Sequence, residues 1–200
     1  MGQRSDGESE YDLRMSVEAI DANITQVLTL DGLAVMNSTD THGYRYELSP
    51  EGALSVMPPP DVVHAFIATR IMAWLLAAGY KANQVAQAIG VRVPGPDGRD
   101  GGRIPDLVVW STPPVRTAPI WVENTGIAVV MEIISRSSRP TDMTVKLEEY
   151  ARAGMPRYWI VDRDRATTVT MYELSGDAYL VRNRIPLDRL LDTPPSDYLG

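Results

Sequence analysis

Two acidic residues stand out in the sequence because their neighbours are almost entirely apolar. Asp106 follows Pro105 and opens the run Leu-Val-Val-Trp, while Glu132 lies within the run Val-Val-Met-Glu-Ile-Ile. A buried carboxylate costs several kcal/mol unless it is paired, hydrogen-bonded or bound to a cation. We therefore expect Glu132 to have a partner, which could be an arginine in a structural ion pair or a metal ion.

Asp106 begins one predicted strand and Glu132 lies in the next, with a long connection between the two strands. The two carboxylates could therefore lie side by side at one end of a sheet. Two negative charges placed in this way repel each other unless a cation lies between them. Carboxylate oxygens favour Mg²⁺, for which Mn²⁺ can substitute. The resulting hypothesis is a magnesium site at Asp106 and Glu132.

A predicted helix further along the chain supplies a third candidate. Asp142, Lys146 and Tyr150 are spaced four residues apart, which places them on one face of a helix. Lys146 could then reach the end of the sheet where Asp106 and Glu132 lie. The alternative is an ordinary Asp142–Lys146 pair within the helix.

The first elements that must position these residues are a hairpin and a helix. Residues 44–48 and 53–57 predict two short strands, with Gly52 in the turn between them. Asp61 stands at the N-cap position of a helix that ends near Gly79.

The rest of the chain predicts an alternation of strands and helices. In order, we expect a strand over 85–93, a loop over 94–102, strands over 106–110 and 128–134, a helix from Thr141 or Asp142 to about Ala153, a strand over 158–162, and a meander over 168–174 and 179–184. The strands at 106–110 and 128–134 do not alternate between apolar and polar residues, so we expect both of their faces to be buried.

The beginning of the chain differs in composition from the rest. Residues 1–14 are polar and nearly devoid of apolar side chains, which predicts a flexible extension. Residues 17–30 have apolar residues at helical spacing and predict a short amphipathic helix. The length of 200 residues favours one domain, which we place at 15–200.

Composition excludes several classes of site. The chain has no cysteine and two histidines, so disulfides and thiolate metal sites are excluded and any metal is expected to have oxygen ligands. The net charge of −7 argues at first against nucleic acid, but all of it lies in residues 1–60. No apolar stretch is long enough to cross a membrane and no export signal is visible, so we expect a cytoplasmic protein that does not bind membranes.

Pro105-Asp106 followed by Glu132 in a strand resembles the PD-(D/E)XK nuclease superfamily. A longer series of motifs is similar to the Uma-two family of restriction-endonuclease-like proteins. The motifs that carry this likeness are Tyr46-Glu47-Leu48 with Gly52, Val56-Met57-Pro58-Pro59, His64, Pro105-Asp106-Leu107, Val130 to Ser135, Asp142 with Lys146 and Tyr150, and Gly154-Met155-Pro156 with Tyr158 to Asp162. The resemblance covers residues 44–173, about two thirds of the chain.

The resemblance implies a restriction-endonuclease-like fold of the α/β class, an α+β mixed sheet with the β-hairpin as an N-terminal extension. It also implies a Mg²⁺-dependent endonuclease that hydrolyses phosphodiester bonds, with DNA as the expected substrate. Asp106, Glu132 and the carbonyl of Ile133 would hold the ion. Cutting both strands of a duplex usually needs two sites, so a homodimer is a further expectation.

One position departs from the superfamily pattern. The superfamily has a lysine two residues after the glutamate, whereas this chain has Ile134. In the Uma-two pattern the lysine lies on the next helix, which implies that Lys146 orients the attacking water. The chain has one other lysine, Lys81.

Two further residues have both a catalytic and a structural interpretation. Glu47 could be a third carboxylate at the metal or an exposed strand residue. His64 could orient a water or contact phosphate, or it could be a polar residue at a helix N-terminus. For the whole chain, the alternatives to a nuclease are a non-catalytic binding or assembly module that retains the nuclease fold, and a hydrolase of a small phosphorylated compound.

Overall fold

The computed structural model describes residues 28–115, 120–135 and 138–200, which form two β-sheets with helices packed against them. The helices are α1 (Leu30–Thr39), α2 (Val62–Ala77), α3 (Lys146–Arg152), α4 (Leu187–Leu191) and α5 (Ser196–Leu199), and a π-helical turn (Thr141–Val145) leads into α3. The strands are β1 (Arg45–Leu48), β2 (Leu54–Met57), β3 (Val85–Gln87), β4 (Gly90–Pro94), β5 (Asp100–Arg103), β6 (Leu107–Trp110), β7 (Trp121–Val122), β8 (Ile127–Ile134), β9 (Arg157–Asp162), β10 (Thr168–Ser175) and β11 (Ala178–Pro186). The extension 1–14 and nearly all of the helix expected over 17–30 lie outside the described residues.

The first sheet has the order β2-β1-β5-β4-β7 and begins with the expected hairpin. Ser49 donates its N–H to the Ala53 carbonyl at 2.9 Å, and Gly52 donates to the Ser49 carbonyl at 2.9 Å. Gly52 has a φ of +93°, which glycine adopts without strain. The hairpin is confirmed, and its register places Glu47 opposite Ser55.

The second sheet has the order β11-β10-β9-β8-β6-β3. Strands β8 and β9 are parallel, and the π-helical turn and α3 form the crossover between them. The expected meander is confirmed, because β9, β10 and β11 pair successively in antiparallel fashion.

Apolar side chains cover both faces of this sheet, as the uninterrupted strands predicted. Helix α2 packs Ile67, Ile71 and Leu75 on one face. Tyr150 of α3 lies in the cluster on the other face, together with Val91 of the first sheet. All four residues of β6 and all but one of β8 are buried, so any polar group at their ends needs a partner within the protein.

The strand predicted over 85–93 is wrong, because β3 and β4 belong to different sheets. Ala88, between them, has a φ of +49°, and this left-handed residue turns the chain from one sheet to the other. Gly90 then lets β4 lie close to β7, since a Cβ there would lie 2.6 Å from the Trp121 ring.

The loop predicted over 94–102 is also wrong at its end, where Asp100 already belongs to β5. The glycines of this segment allow close packing rather than a turn. A Cβ at Gly101 would lie 2.7 Å from the Leu48 carbonyl oxygen, and one at Gly102 would lie 2.7 Å from Trp121.

Helix α1 was not predicted, because its composition is poor in strong helix formers. The side chain of Thr29 caps its N-terminus.

The helix expected to start at Thr141 or Asp142 begins earlier. Helical structure is present from Arg139, and the Asp142 N–H donates to the Ser138 carbonyl at 3.0 Å. Asp142 is therefore inside the helical segment, and its side chain is free to face the protein interior. None of the helices in the described ranges is long and apolar enough to cross a membrane.

Candidate active site

A cleft of about 640 Å³ opens between the hairpin, the start of α2 and the end of the second sheet. Its lining includes Glu47, His64, Asp106, Glu132 and Lys146. The structure therefore brings to one cleft all five side chains that the sequence suggests for catalysis. They come from distant elements: β1, α2, the entry to β6, β8 and α3.

Strand pairing places Asp106 and Glu132 side by side. Leu107 pairs with Met131 in the antiparallel β6–β8 ladder, and continuing that register by one residue puts Asp106 opposite Glu132. Directly opposed residues of an antiparallel pair point to the same face of the sheet. The expected juxtaposition of two carboxylates at one end of the sheet is present.

Three groups surround the carboxylate of Asp106. Its Oδ2 lies 2.9 Å from His64 Nε2 and accepts a 2.8 Å hydrogen bond from the Ile133 N–H, while Arg45 lies 3.4 Å from Oδ1. Burial acts to raise the pKa of Asp106, but the His64 contact and the Ile133 N–H outweigh it and hold the pKa below its ordinary value. Asp106 therefore stays ionised, and His64 positions it.

Lys146 is the direct partner of Glu132. The Lys146 Nζ lies 2.8 Å from Glu132 Oε1, and the Tyr150 hydroxyl donates to the same oxygen at 3.1 Å. Lys146 is also 3.3 Å from Glu47 Oε1 and 3.3 Å from Asp142 Oδ1. The partner that the sequence required for Glu132 is thus a lysine rather than an arginine, and the Asp142–Lys146 pair exists as one part of a larger network.

Glu47 is not an exposed strand residue, since only 1% of its surface is accessible. Its Oε1 accepts a 2.8 Å hydrogen bond from the Ile104 N–H, and Arg103 lies 3.3 Å from its Oε2. Arg103 in turn makes two hydrogen bonds to Glu149, at 2.6 and 2.7 Å. A buried, bidentate Arg103–Glu149 pair therefore fixes Glu47 in the floor of the cleft.

The π-helical turn carries Asp142 into this network. Asp142 is buried, and its carbonyl accepts a 2.9 Å hydrogen bond from the Tyr158 hydroxyl. Its Oδ1 is buried and accepts no hydrogen bond, although Lys146 Nζ lies 3.3 Å away. Wide helical turns of this kind are often found at functional sites.

Burial and the neighbouring charges both shift the pKa values of this network. Burial raises the pKa of Glu132; Lys146 opposes this, but the charges of Asp142 and Asp106 add to it, and the pKa lies well above its ordinary value. Burial would lower the pKa of Lys146, but Glu132 and Glu47 hold it well above the ordinary value. Lys146 thus remains charged, and burial raises the pKa of Asp142 as well as that of Glu132.

A divalent cation fits this donor set by charge. Five carboxylates, Glu47, Asp106, Glu132, Asp142 and Glu149, face three cationic side chains, Arg45, Arg103 and Lys146, which leaves an excess of two negative charges with histidine neutral. Within the parts of the chain that the structure describes, no three acidic or histidine groups already enclose a metal position. The cation between Glu132, Glu47 and Asp142 is instead Lys146 itself.

Some residues of the network were not foreseen as parts of the site. Arg103 closes a run of glycine and aspartate that looked like a loop, and Glu149 lies on a helix rich in charged residues, so neither had a distinguishing signal. Arg45 precedes a recognised motif in β1 but was not singled out. Lys81 is exposed in the loop that follows α2 and does not line the cleft.

Comparison with known proteins agrees with this architecture. The chain matches, over residues 30–196, the model of the Uma2 family, described as putative restriction endonuclease. It is also similar to the crystal structure of a putative nuclease belonging to DUF820 from Anabaena variabilis, with a TM-score of 0.58 and 19% sequence identity, covering 77% of this chain and 83% of that one. No curated protein matches at a significant level. Since the family model spans most of the chain, including every residue of the cleft, the protein belongs to the Uma2 family of restriction-endonuclease-like proteins.

Proposed function

We propose that this protein is a Mg²⁺-dependent endonuclease that hydrolyses phosphodiester bonds of DNA. The observation that carries the proposal is the meeting of Asp106, Glu132 and Lys146 in one cleft, on three separate elements. Membership in a family described as restriction endonucleases supports the same reaction class.

Asp106 and Glu132 would hold the ion, together with the carbonyl of Ile133. The Ile133 N–H points toward Asp106, and in an antiparallel ladder the N–H and C=O of one residue face the same neighbour, so its carbonyl is directed to the Asp106 side. A bound Mg²⁺ lowers the pKa of a water ligand and neutralises phosphate charge. His64 and the Ile133 N–H both engage Asp106 Oδ2, so they fix the orientation of the carboxylate that would hold the ion.

Lys146 would act on the attacking water and on the charge that develops on the phosphate. It is fully buried among Glu132, Glu47 and Asp142, and these carboxylates keep its ammonium charged and fixed in direction. A fixed positive charge in a site shielded from water stabilises a transition state more than a mobile one. The position of the ammonium beside Glu132 compensates for the Ile134 side chain that stands where the superfamily has lysine.

We favour DNA over a small phosphorylated compound because the cleft is open; the arginines on its wall suit a phosphate of either substrate. Arg45 and Arg163 both line it, and arginine recognises phosphate oxygens through a planar, bidentate donor set. The net charge of −7, by contrast, favours the non-catalytic module. The meeting of Asp106, Glu132 and Lys146 in one cleft favours the endonuclease over that module.

Glu132→Gln tests the metal assignment. The amide keeps the shape and can still accept from Lys146 and Tyr150, so we expect a loss of no more than about 1.5 kcal/mol in the free energy of unfolding. Because it lacks the charge, we expect Mn²⁺ binding to fall by at least about 100-fold and cleavage to disappear.

The two measurements are calorimetric titration with Mn²⁺ and thermal melting of the same samples. The control is Glu148→Gln, an exposed glutamate of the same helix as Lys146. Unchanged Mn²⁺ affinity in Glu132→Gln, combined with a large loss of melting temperature, would show that Glu132 is only a structural partner of Lys146.

A further inference from the structure

Strand β2 forms one edge of the first sheet, and among the described residues it pairs on one side only, with β1. The Ser49–Ala53 hydrogen bond closes the hairpin, so hydrogen-bonded pairs recur at every second position, at Glu47–Ser55 and Arg45–Met57. The N–H and C=O groups of Leu54 and Val56 must therefore point away from β1. Within the part of the chain that the structure describes, these groups have no strand partner on that side.

The side chains along this edge are apolar as well. Leu54 is 40% exposed and Val56 is 50% exposed, and β2 contains no charged residue. Proteins usually protect open edges with charges, bulges or covering segments. Strand β11, an edge of the second sheet, has such protection in Arg182 and Arg184 and in a bulge of its ladder.

We propose that β2 pairs with β2 of a second copy of this chain, joining the two first sheets into one. With Ser55 opposite Ser55 of the second copy, Leu54 faces Val56 of that copy in a hydrogen-bonded pair, and the reverse pair is equivalent. Backbone donors then meet acceptors, and apolar side chains meet apolar side chains, as a two-fold interface requires. The edge is short, so we expect a dimer that depends on protein concentration.

The chain's own N-terminal segment is a poorer match for this edge. Residues 1–14 are polar, and the apolar residues of 17–30 have helical spacing rather than the alternation of a strand. A second copy of β2, in contrast, offers backbone donors, backbone acceptors and apolar side chains that match those of β2 in the register given above.

Dimerisation through β2 would also bring together the two clefts that the proposed endonuclease needs to cut both strands of a duplex. The side chains of Arg45, Glu47 and Met57 lie on the cleft side of the hairpin, and all three line the cleft. The two-fold axis of an antiparallel strand pair is perpendicular to the sheet, so both clefts would open on the same side of the joined sheet. This arrangement presents two sites to one duplex. The use of two sites rests on the proposed function, whereas the pairing of the strands does not.

The register can be tested by a single cysteine, because the chain has none of its own. Residues opposed at the centre of such a pair have Cα atoms about 4.5 Å apart, within disulfide range. We expect Ser55→Cys to form a covalent dimer under mild oxidation, whereas Ser38→Cys, on exposed α1, stays monomeric under denaturing electrophoresis. Equal cross-linking of the two variants would contradict the proposed register.

Sedimentation equilibrium of the full chain provides the second test. We expect wild type to approach twice its mass of 22.1 kDa as concentration rises, and Val56→Lys to weaken association by about ten-fold or more. Val62→Lys, an equally conspicuous exposed valine on α2, should associate like wild type. A wild type that stays monomeric throughout would overturn the proposal, and neither readout depends on nuclease activity.

Discussion

Lys146 is the residue on which the account of this site depends most. It is fully buried and lies within 3.3 Å of three carboxylates, those of Glu47, Glu132 and Asp142. In the proposed mechanism this interaction is structural and catalytic at once. The sequence identified Lys146 through its spacing from Asp142, but it could not show that Glu47 would join from a strand 99 residues away.

Lys146→Ala should therefore lower turnover without weakening metal binding. Removing the ammonium leaves buried carboxylates without a cation, so we expect a loss of about 3–5 kcal/mol in the free energy of unfolding without added metal. Because the repulsion between Lys146 and an incoming cation disappears, Mn²⁺ should bind at least as tightly as in wild type. Cleavage should fall by about 100-fold or more, since the loss acts on the transition state.

The measurements are Mn²⁺ titration, chemical denaturation with and without Mn²⁺, and plasmid nicking at equal folded concentration. Lys146→Arg retains the charge and should retain stability better than alanine, without full recovery of rate, because the guanidinium has a different donor geometry. Lys81→Ala serves as the control for loss of a lysine. Nicking at the wild-type rate by Lys146→Ala would reject the role of this residue in catalysis.

At the level of elements, the parts of the site that the sequence predicts are those with a strong local pattern. The hairpin has a turn glycine, α2 has an aspartate cap and a periodic apolar face, and β6 and β8 are continuous apolar runs. Strand β5 has none of these signals. Its residues Asp-Gly-Gly-Arg are typical of a turn. They form a strand here because the two glycines allow the backbone to lie in close contact with Leu48 and Trp121, where a side chain would not fit.

Gly101→Ala tests whether β5 holds the two halves of the site together. An added Cβ would lie 2.6 Å from the Pro50 nitrogen and 2.7 Å from the Leu48 carbonyl oxygen, both backbone atoms. We expect β1 and β5 to separate slightly, with a loss of about 1–3 kcal/mol in unfolding free energy. Denaturant titration measures this loss.

Gly32→Ala is the matched control, because its nearest contact would be an ordinary 3.5 Å to the Thr29 hydroxyl. Alanine in helix α1 should leave stability unchanged or raise it slightly. Equal stability of the two alanine variants would show that the close packing of β5 does not contribute measurably to the free energy of unfolding. A selective loss in Gly101→Ala would also be expected to loosen Arg103, the next residue but one, and with it Glu47.

For the whole molecule, the main difference from the sequence-based prediction is the number of sheets. The mixed α/β character and the nuclease-like architecture follow from the order of elements and the resemblance in motifs. The division into two sheets depends on Ala88 and Gly90, where the chain leaves one sheet and enters the other. This division forms the cleft, because the hairpin sheet supplies Glu47 and Arg103 while the second sheet supplies Asp106 and Glu132.

The most direct test of the account is cleavage of supercoiled plasmid DNA in Mg²⁺ by wild type and by Asp106→Asn. Asp106 is ionised and oriented by His64 and Ile133, and an amide in its place would lose the charge that is proposed to bind the ion. We expect cleavage by wild type that stops on chelation, a loss of about 100-fold or more in Asp106→Asn, and no change in Asp97→Asn, an exposed loop residue. Cleavage by Asp106→Asn at the wild-type rate, or no cleavage by folded wild type with Mg²⁺ or Mn²⁺, would contradict the account.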